Sequence, residues 1–187
     1  QLTVLPGDTI KIPDINDTLT ITGNSVINTG GYVSGNGALL FGGGSQTLSG
    51  WYGASKIIFG GSGTKSFGHC SVYGNAVVNN GVSIQGSGTT FRMYGSLINH
   101  GTVALNYGTD TLYAYGNLTN NGTWIIHNTK IMQLMTLAGA SLYNTQMWVD
   151  ANCMVDGNVK VVQLTVLPGD TIKIPDINDT LTITGNS

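Results

Sequence analysis

The chain has 187 residues, of which 28 are Gly and only 9% are charged, and its formal net charge is −2. Because phosphate neutralisation requires clustered Lys and Arg, this balance argues against a nucleic-acid partner. No stretch approaches the roughly 20 apolar residues of a membrane-spanning helix, so we expect no membrane span in this segment.

The first predicted feature in chain order is a duplication. Residues 1–25 and 163–187 are identical, at an offset of 162 residues. Surface positions match as well as core positions, which argues against old divergence. We therefore expect one full repeat, residues 1–162, followed by the start of the next identical repeat, residues 163–187. Linked repeats in one polypeptide and a polymer of separate subunits both fit this identity.

A shorter period lies inside the long one. A Gly, a small or polar residue, an apolar pair, and then Asn and Gly recur as GNSVINTG from Gly23, GNAVVNNG from Gly74, GSLINHG from Gly95 and GNLTNNG from Gly116. Such a period is typical of a solenoid. Coils that end at a Gly predict about seven coils per 162-residue repeat, with ends at residues 50, 74, 95, 116, 139, 157 and 185.

Period-two alternation precedes these coil ends. Four residues before the closing Gly, an apolar column contains Cys70, Phe91, Leu112, Met135 and Cys153. A second alternating segment lies earlier in each coil, for example Thr102–Leu105. Short half-buried strands between Gly and Asn turns predict an all-β protein, a parallel β-helix (β-solenoid), with no large helix. Seven coils at about 4.8 Å each give an axial repeat of about 34 Å.

Asparagines recur near the first corner of the coils. Asn tolerates left-handed backbone and can donate to the Asn of the next coil, so a stacked ladder is predicted, although Asn-Gly is also a common loop dipeptide. The predicted ladder contains Asn28, Asn79, Asn99, Asn120 and Asn144.

The two cysteines are predicted to be buried and unpaired. Cys70 and Cys153 fall in one apolar column, four coils apart. At about 4.8 Å per coil their separation of roughly 19 Å exceeds the ~7 Å limit for a disulfide.

The acidic residues predict no catalytic site. A glycosidase needs two facing carboxylates, and only Asp14 and Asp17 are close in sequence, in a Pro-Asp-Ile-Asn-Asp turn. We therefore expect no enzyme activity and no cofactor. Oxygen atoms of Asp14, Asn16 and Asp17 make this turn a weak candidate for Ca²⁺; an Asx turn is the simpler interpretation.

An outward aromatic column is the one candidate contact stripe, formed by Tyr73, Tyr94 and Tyr115 with Tyr113 beside it. Stacking between neighbouring coils explains the column without any ligand. The functional interpretation is contact with a sugar or with a neighbouring fibre.

The GNLTNNGT and GSLINHGT segments resemble the β-helical tandem repeats of very large cell-surface proteins and adhesins of Bacteroidota. That phylum O-glycosylates secreted proteins at Asp, then Ser or Thr, then an apolar residue. The resemblance therefore implies O-glycosylation acceptors at Thr9, Thr18, Thr111, Thr171 and Thr180.

Together these features predict a structural role outside the cell, as a filament or stalk on the cell surface built from identical repeats stacked end to end. The expected partners are copies of the chain itself, end to end or as lateral fibres. One alternative is an adhesin or glycan-binding module; another is a polysaccharide-active β-helix or phage tail-spike fragment.

Overall fold

The computed structural model describes residues 1–86 and 88–185; Asn186 and Ser187, the last residues of the second copy, lie outside these ranges. Within them the chain forms strands of 2 to 15 residues separated by turns. The strands are β1 (Leu2–Val4), β2 (Thr9–Lys11), β3 (Thr18–Ile21), β4 (Ser25–Ile27), β5 (Tyr32–Phe41), β6 (Gln46–Phe59), β7 (Gly63–Val72), β8 (Asn75–Val78), β9 (Val82–Gly86), β10 (Thr90–Met93), β11 (Leu97–Asn99), β12 (Thr102–Leu105), β13 (Thr111–Ala114), β14 (Leu118–Asn120), β15 (Thr123–Ile131), β16 (Met135–Val149), β17 (Cys153–Val166), β18 (Ile172–Lys173) and β19 (Thr180–Ile183).

The strands pair in parallel with strands one turn away in the coil. β11, for example, lies between β8 on one side and β14 on the other, with Leu97 opposite both Ala76 and Leu118. The described residues contain no helix and wind into about ten turns. The prediction of an all-β parallel β-helix is therefore confirmed.

One inward column can be followed through eight turns without a break. It runs through Ile10, Val33, Tyr52, Val72, Met93, Ala114, Ile131, Val149 and Val166. A turn thus takes about 19 to 20 residues, and 162 residues make slightly more than eight turns rather than about seven. At about 4.8 Å per turn the axial repeat becomes about 40 Å, in place of the expected 34 Å.

The extra turn lies early in the chain, where two coils are predicted, ending at residues 50 and 74, but the register makes three steps from Thr18 to Asn75. The Gly-Asn motifs, which the sequence suggests are corners, contain strands of their own: β8, β11 and β14. Each turn therefore has three short walls, where alternation alone indicates two. The apolar column of the sequence also changes wall part-way, because Leu112 pairs with Thr129 whereas Met135 pairs with Cys153. Cys70 and Cys153 consequently lie in different columns, and both are buried and free.

A continuous apolar core fills the coil. Its inward side chains alternate with exposed ones along each strand, as the period-two pattern requires. Phe41, Phe59, Phe67 and Phe91 lie in successive contact in it, with ring centroids 5.6, 5.4 and 4.9 Å apart. Each fully buried side chain of this size contributes roughly 1.5–3 kcal/mol.

Glycines at the corner before β8, β11 and β14 allow the coils to approach closely. A Cβ atom on Gly95 would collide with the backbone of Gly74, and one on Gly116 would collide with the backbone of Gly95. The recurring Gly of the sequence motif is therefore required by coil-to-coil packing.

Candidate functional site

A buried pair of asparagines lies where β11 and β14 end. The Nδ2 of Asn99 donates to the Oδ1 of Asn120 at 2.8 Å, and both side chains are fully buried. The Nδ2 of Asn120 donates in turn to the carbonyls of Gly122 and Ala140. This pair links three successive turns through side-chain amides.

The other asparagines of the predicted ladder lie elsewhere. Asn79 is exposed, because Val78 occupies the position that pairs with Asn99. Asn28 is half-buried at an earlier corner. Asn144 is buried in a different column, where its Oδ1 accepts from the Oγ1 of Thr129 at 2.6 Å and from the Nε1 of Trp124 at 3.5 Å. The ladder thus has two members in place of five.

A second set of asparagines, which the sequence reasoning missed, repeats along the coil. In each, the side-chain Oδ1 accepts a backbone N–H of the next turn at 2.8–2.9 Å. For Asn24, Asn75 and Asn117 the signal was the position directly after the corner Gly, whereas Asn152 follows Ala151. The pairs are Asn24 with Thr47, Asn75 with Ser96, Asn117 with Thr136 and Asn152 with Thr171.

The predicted contact stripe contains a true ring stack. Tyr73 and Tyr94 are 4.5 Å apart with planes 5° from parallel, and Tyr94 and Tyr115 are 4.6 Å apart at 18°. Tyr32, which the sequence reasoning missed, meets Tyr73 edge-on at 5.9 Å. We call Tyr73, Tyr94 and Tyr115 the tyrosine stack. Burial, followed by the neighbouring Tyr94, raises the pKa of Tyr73 and Tyr115.

Tyr113 lies in a separate column on the outward face of β13. Its ring lies between two cations, with Arg92 at 5.2 Å and the Nζ of Lys130 at 5.3 Å from its centroid. The same Lys130 lies 5.4 Å from the Trp148 ring. Cations and rings therefore alternate along the outside of this wall, which stabilises the stacking of turns.

The weak calcium candidate is an Asx turn. The Oδ1 of Asp14 accepts from the backbone N–H of Asn16 at 2.8 Å and from its Nδ2 at 3.0 Å. These bonds use the Oδ1 of Asp14 only, and the Asx turn explains this motif without a cation. Across residues 1–86 and 88–185, no group of three or more His, Cys, Asp or Glu residues is arranged to hold a metal.

Asp110 is the one fully buried carboxylate among the described residues. Its Oδ1 accepts the N–H of Thr89 at 2.7 Å, and its Oδ2 accepts the N–H of Tyr107 at 3.1 Å. Asp110 thus closes a loop and links two turns, and these bonds account for its burial without a catalytic role.

The five threonines implied as O-glycosylation acceptors lie on the outside. Thr9, Thr18, Thr171 and Thr180 are exposed, and Thr111 is half-buried. Two of the hydroxyls already donate to asparagines: Thr171 to the Oδ1 of Asn152 at 2.8 Å and Thr180 to the Oδ1 of Asn158 at 2.6 Å. All five remain candidates by position.

The first and last turns have strand edges that pair on one side only. β1, β2 and β3 pair with the turn above, and β18 and β19 pair with the turn below. On the last turn the inward side chains Val166, Ile174 and Ile183 are 41–46% exposed. Unpaired edges of this kind are templates for another strand.

No family model, curated protein or solved structure matches the chain. Within the described residues, no helix is long and apolar enough to cross a membrane.

Proposed function

We propose that this protein is structural: identical β-solenoid units, stacked end to end, build a filament or stalk on the outside of the cell. Its partners in this function are copies of itself, as further repeats of one chain or as separate subunits. The low charge and the continuous core support the proposal.

One observation carries this function. The second copy of the repeated segment continues the coil: its strand residues 163–166 pair in register with Gln146–Val149. Leu164, Ile172 and Leu181 pack against the core, as do Leu2, Ile10 and Leu19 of the first copy. The start of a new unit therefore pairs in register with the end of the previous unit and packs against its core.

The adhesin alternative depends on the tyrosine stack. Sugars usually bind against the face of an aromatic ring, and both faces of Tyr94 are covered by Tyr73 and Tyr115. This geometry favours stacking of turns as the role of these rings. Simultaneous truncation of Tyr73, Tyr94 and Tyr115 separates the two functions, since glycan binding lost from intact fibres would favour the adhesin.

The filament proposal is tested by chains that contain one, two and three tandem 162-residue units. We expect single rods that lengthen by about 40 Å per unit, measured by electron microscopy and small-angle scattering. Rods that bend freely between units, or separate beads, would contradict the proposal.

The control is Val166→Asp. Val166 is inward but 41% exposed in the 187-residue chain, so the charge costs little there. In a tandem chain the same position is covered by the next turn, where an unpaired buried carboxylate is strongly destabilising. We expect this variant to weaken the two-unit rod at the joint and to leave the 187-residue chain folded.

A further inference from the structure

The two identical segments do not occupy equivalent positions around the coil. Val166 is the copy of Val4, yet the inward column beneath Val166 leads through eight paired steps to Ile10. At its first strand, the second copy is therefore advanced by one inward position relative to the first.

A displacement in the same direction occurs at the other end of the segment. Thr20 belongs to a column that rises through Leu40 and Ile58 to Asp156. Its copy Thr182 stands in a different column, which descends through Lys160 and Tyr143 to Thr47. The last strand of the second copy thus lies on the next wall of the coil.

Both placements fit this segment because the walls involved have the same inward alternation. The copied residues are half-buried against the core in both places, namely Leu2 and Leu164, Ile10 and Ile172, and Leu19 and Leu181. Apolar burial is non-directional, so the same side chains can be buried when the segment lies one wall further around the coil.

We infer that successive units are joined with a stagger: each 162-residue unit makes eight turns plus a fraction of a turn, up to one wall. The inference rests on the proposed function, because the partner is the next copy of this chain. Its first strand lies over Met147–Val149, and its third lies over Val159–Val161.

The stagger affects the outer surface of the fibre. A feature that occurs once per unit, such as the tyrosine stack, begins at a new position around the axis in each unit. Identical stacks then wind around the fibre and do not form one continuous stripe, so lateral partners meet the fibre on several sides.

Engineered cysteine pairs test the stagger in the existing chain. Trp148 and Thr165 are in register on neighbouring turns, so Trp148→Cys with Thr165→Cys should form a disulfide on mild oxidation. If the second copy returned to its starting position, Thr165 would lie about three residues earlier along β16, near Thr145. At about 3.3 Å per residue, Thr145→Cys with Thr165→Cys should stay reduced in the staggered coil.

The matched positive control is Lys130→Cys with Trp148→Cys, which are also in register but lie outside the repeated segment. Peptide mapping identifies the bonds; Cys70 and Cys153 are buried and remain reduced. Cross-linking of 145 with 165 in preference to 148 with 165 would overturn the stagger. This readout needs no fibre, so a failure to build rods would contradict the proposed function and leave the pairing result intact.

Discussion

At the scale of single residues, buried polar side chains connect the turns. Lys65 is fully buried, and its Nζ donates at 2.7 Å to the carbonyls of Gly43 and Gly44 and to the Oε1 of Gln46. Burial lowers the pKa of Lys65. Alternation in the sequence did not reveal it, since a lysine in a strand normally indicates an outward position.

Asn120→Ala should lower the free energy of unfolding by about 1–3 kcal/mol, because it removes one of the two acceptors of the buried Nδ2 of Asn99, the other being the carbonyl of Thr123. Urea denaturation followed by circular dichroism measures the loss. Asn79→Ala is the control: Asn79 is exposed, and we expect a change within about 0.5 kcal/mol. Equal losses in the two variants would contradict the buried pair.

Stability should fall at alkaline pH because of two buried thiols. Burial raises the pKa of Cys153 from its ordinary 9.0 to about 11, and it raises the pKa of Cys70 further still. Between pH 9 and 11 the unfolded chain therefore releases these protons first, so this contribution to stability is full below pH 9 and declines above it.

The pH dependence is measured by urea titration from pH 8 to pH 10.5. Each thiol contributes up to about 1.4 kcal/mol per pH unit to the slope. We expect Cys70→Ala with Cys153→Ala to flatten the decline, whatever its stability at pH 8. An unchanged slope in this double variant would show that the thiols do not cause the dependence.

At the scale of elements, the sequence predicts strands from alternation but not the number of walls in a turn. Alternation identifies Thr102–Leu105 and the strand around Phe91 directly. It fails for three-residue strands such as β11, which contain only one full alternation and are flanked by Gly and Asn. Whether these segments form strands depends on pairing with neighbouring turns, and the local sequence pattern does not contain that information.

The corner glycines provide a prediction at this scale. Gly95→Ala should destabilise the coil by about 1–3 kcal/mol, because the added methyl group collides with the Gly74 backbone. Gly44→Ala is the matched control, since a Cβ atom there meets nothing within 4 Å. Thermal unfolding compares them; a midpoint for Gly95→Ala as high as that for Gly44→Ala would refute the close approach.

The tyrosine stack provides a second prediction at the scale of elements. Tyr94→Ala removes both ring contacts and should cost up to about 2 kcal/mol, at 0.2–1 kcal/mol for each cross-strand pair. Tyr107, which is 59% exposed, provides the control substitution Tyr107→Ala, with little expected effect. Chemical denaturation distinguishes the two, and a neutral Tyr94→Ala would mean that the stack does not support the coil.

At the scale of the whole molecule, repetition makes the fold predictable but does not predict the number of turns in each unit. The identity of residues 1–25 and 163–187 predicts continuation of the coil, and the structure places the second copy on the last complete turn. The number of turns per unit depends on the length of every corner. The predicted coils that end at Gly95 and Gly116 match the register, whereas the predicted coil that ends at Gly50 is longer than one turn, so seven turns are predicted where the register gives slightly more than eight.

The axial repeat of native fibres that contain this chain tests the central claim most directly. Electron microscopy or fibre diffraction should give layer lines near 4.8 Å, from stacked strands, and a unit repeat near 40 Å. Separate globules with no 4.8 Å periodicity along a common axis would contradict an end-to-end solenoid filament.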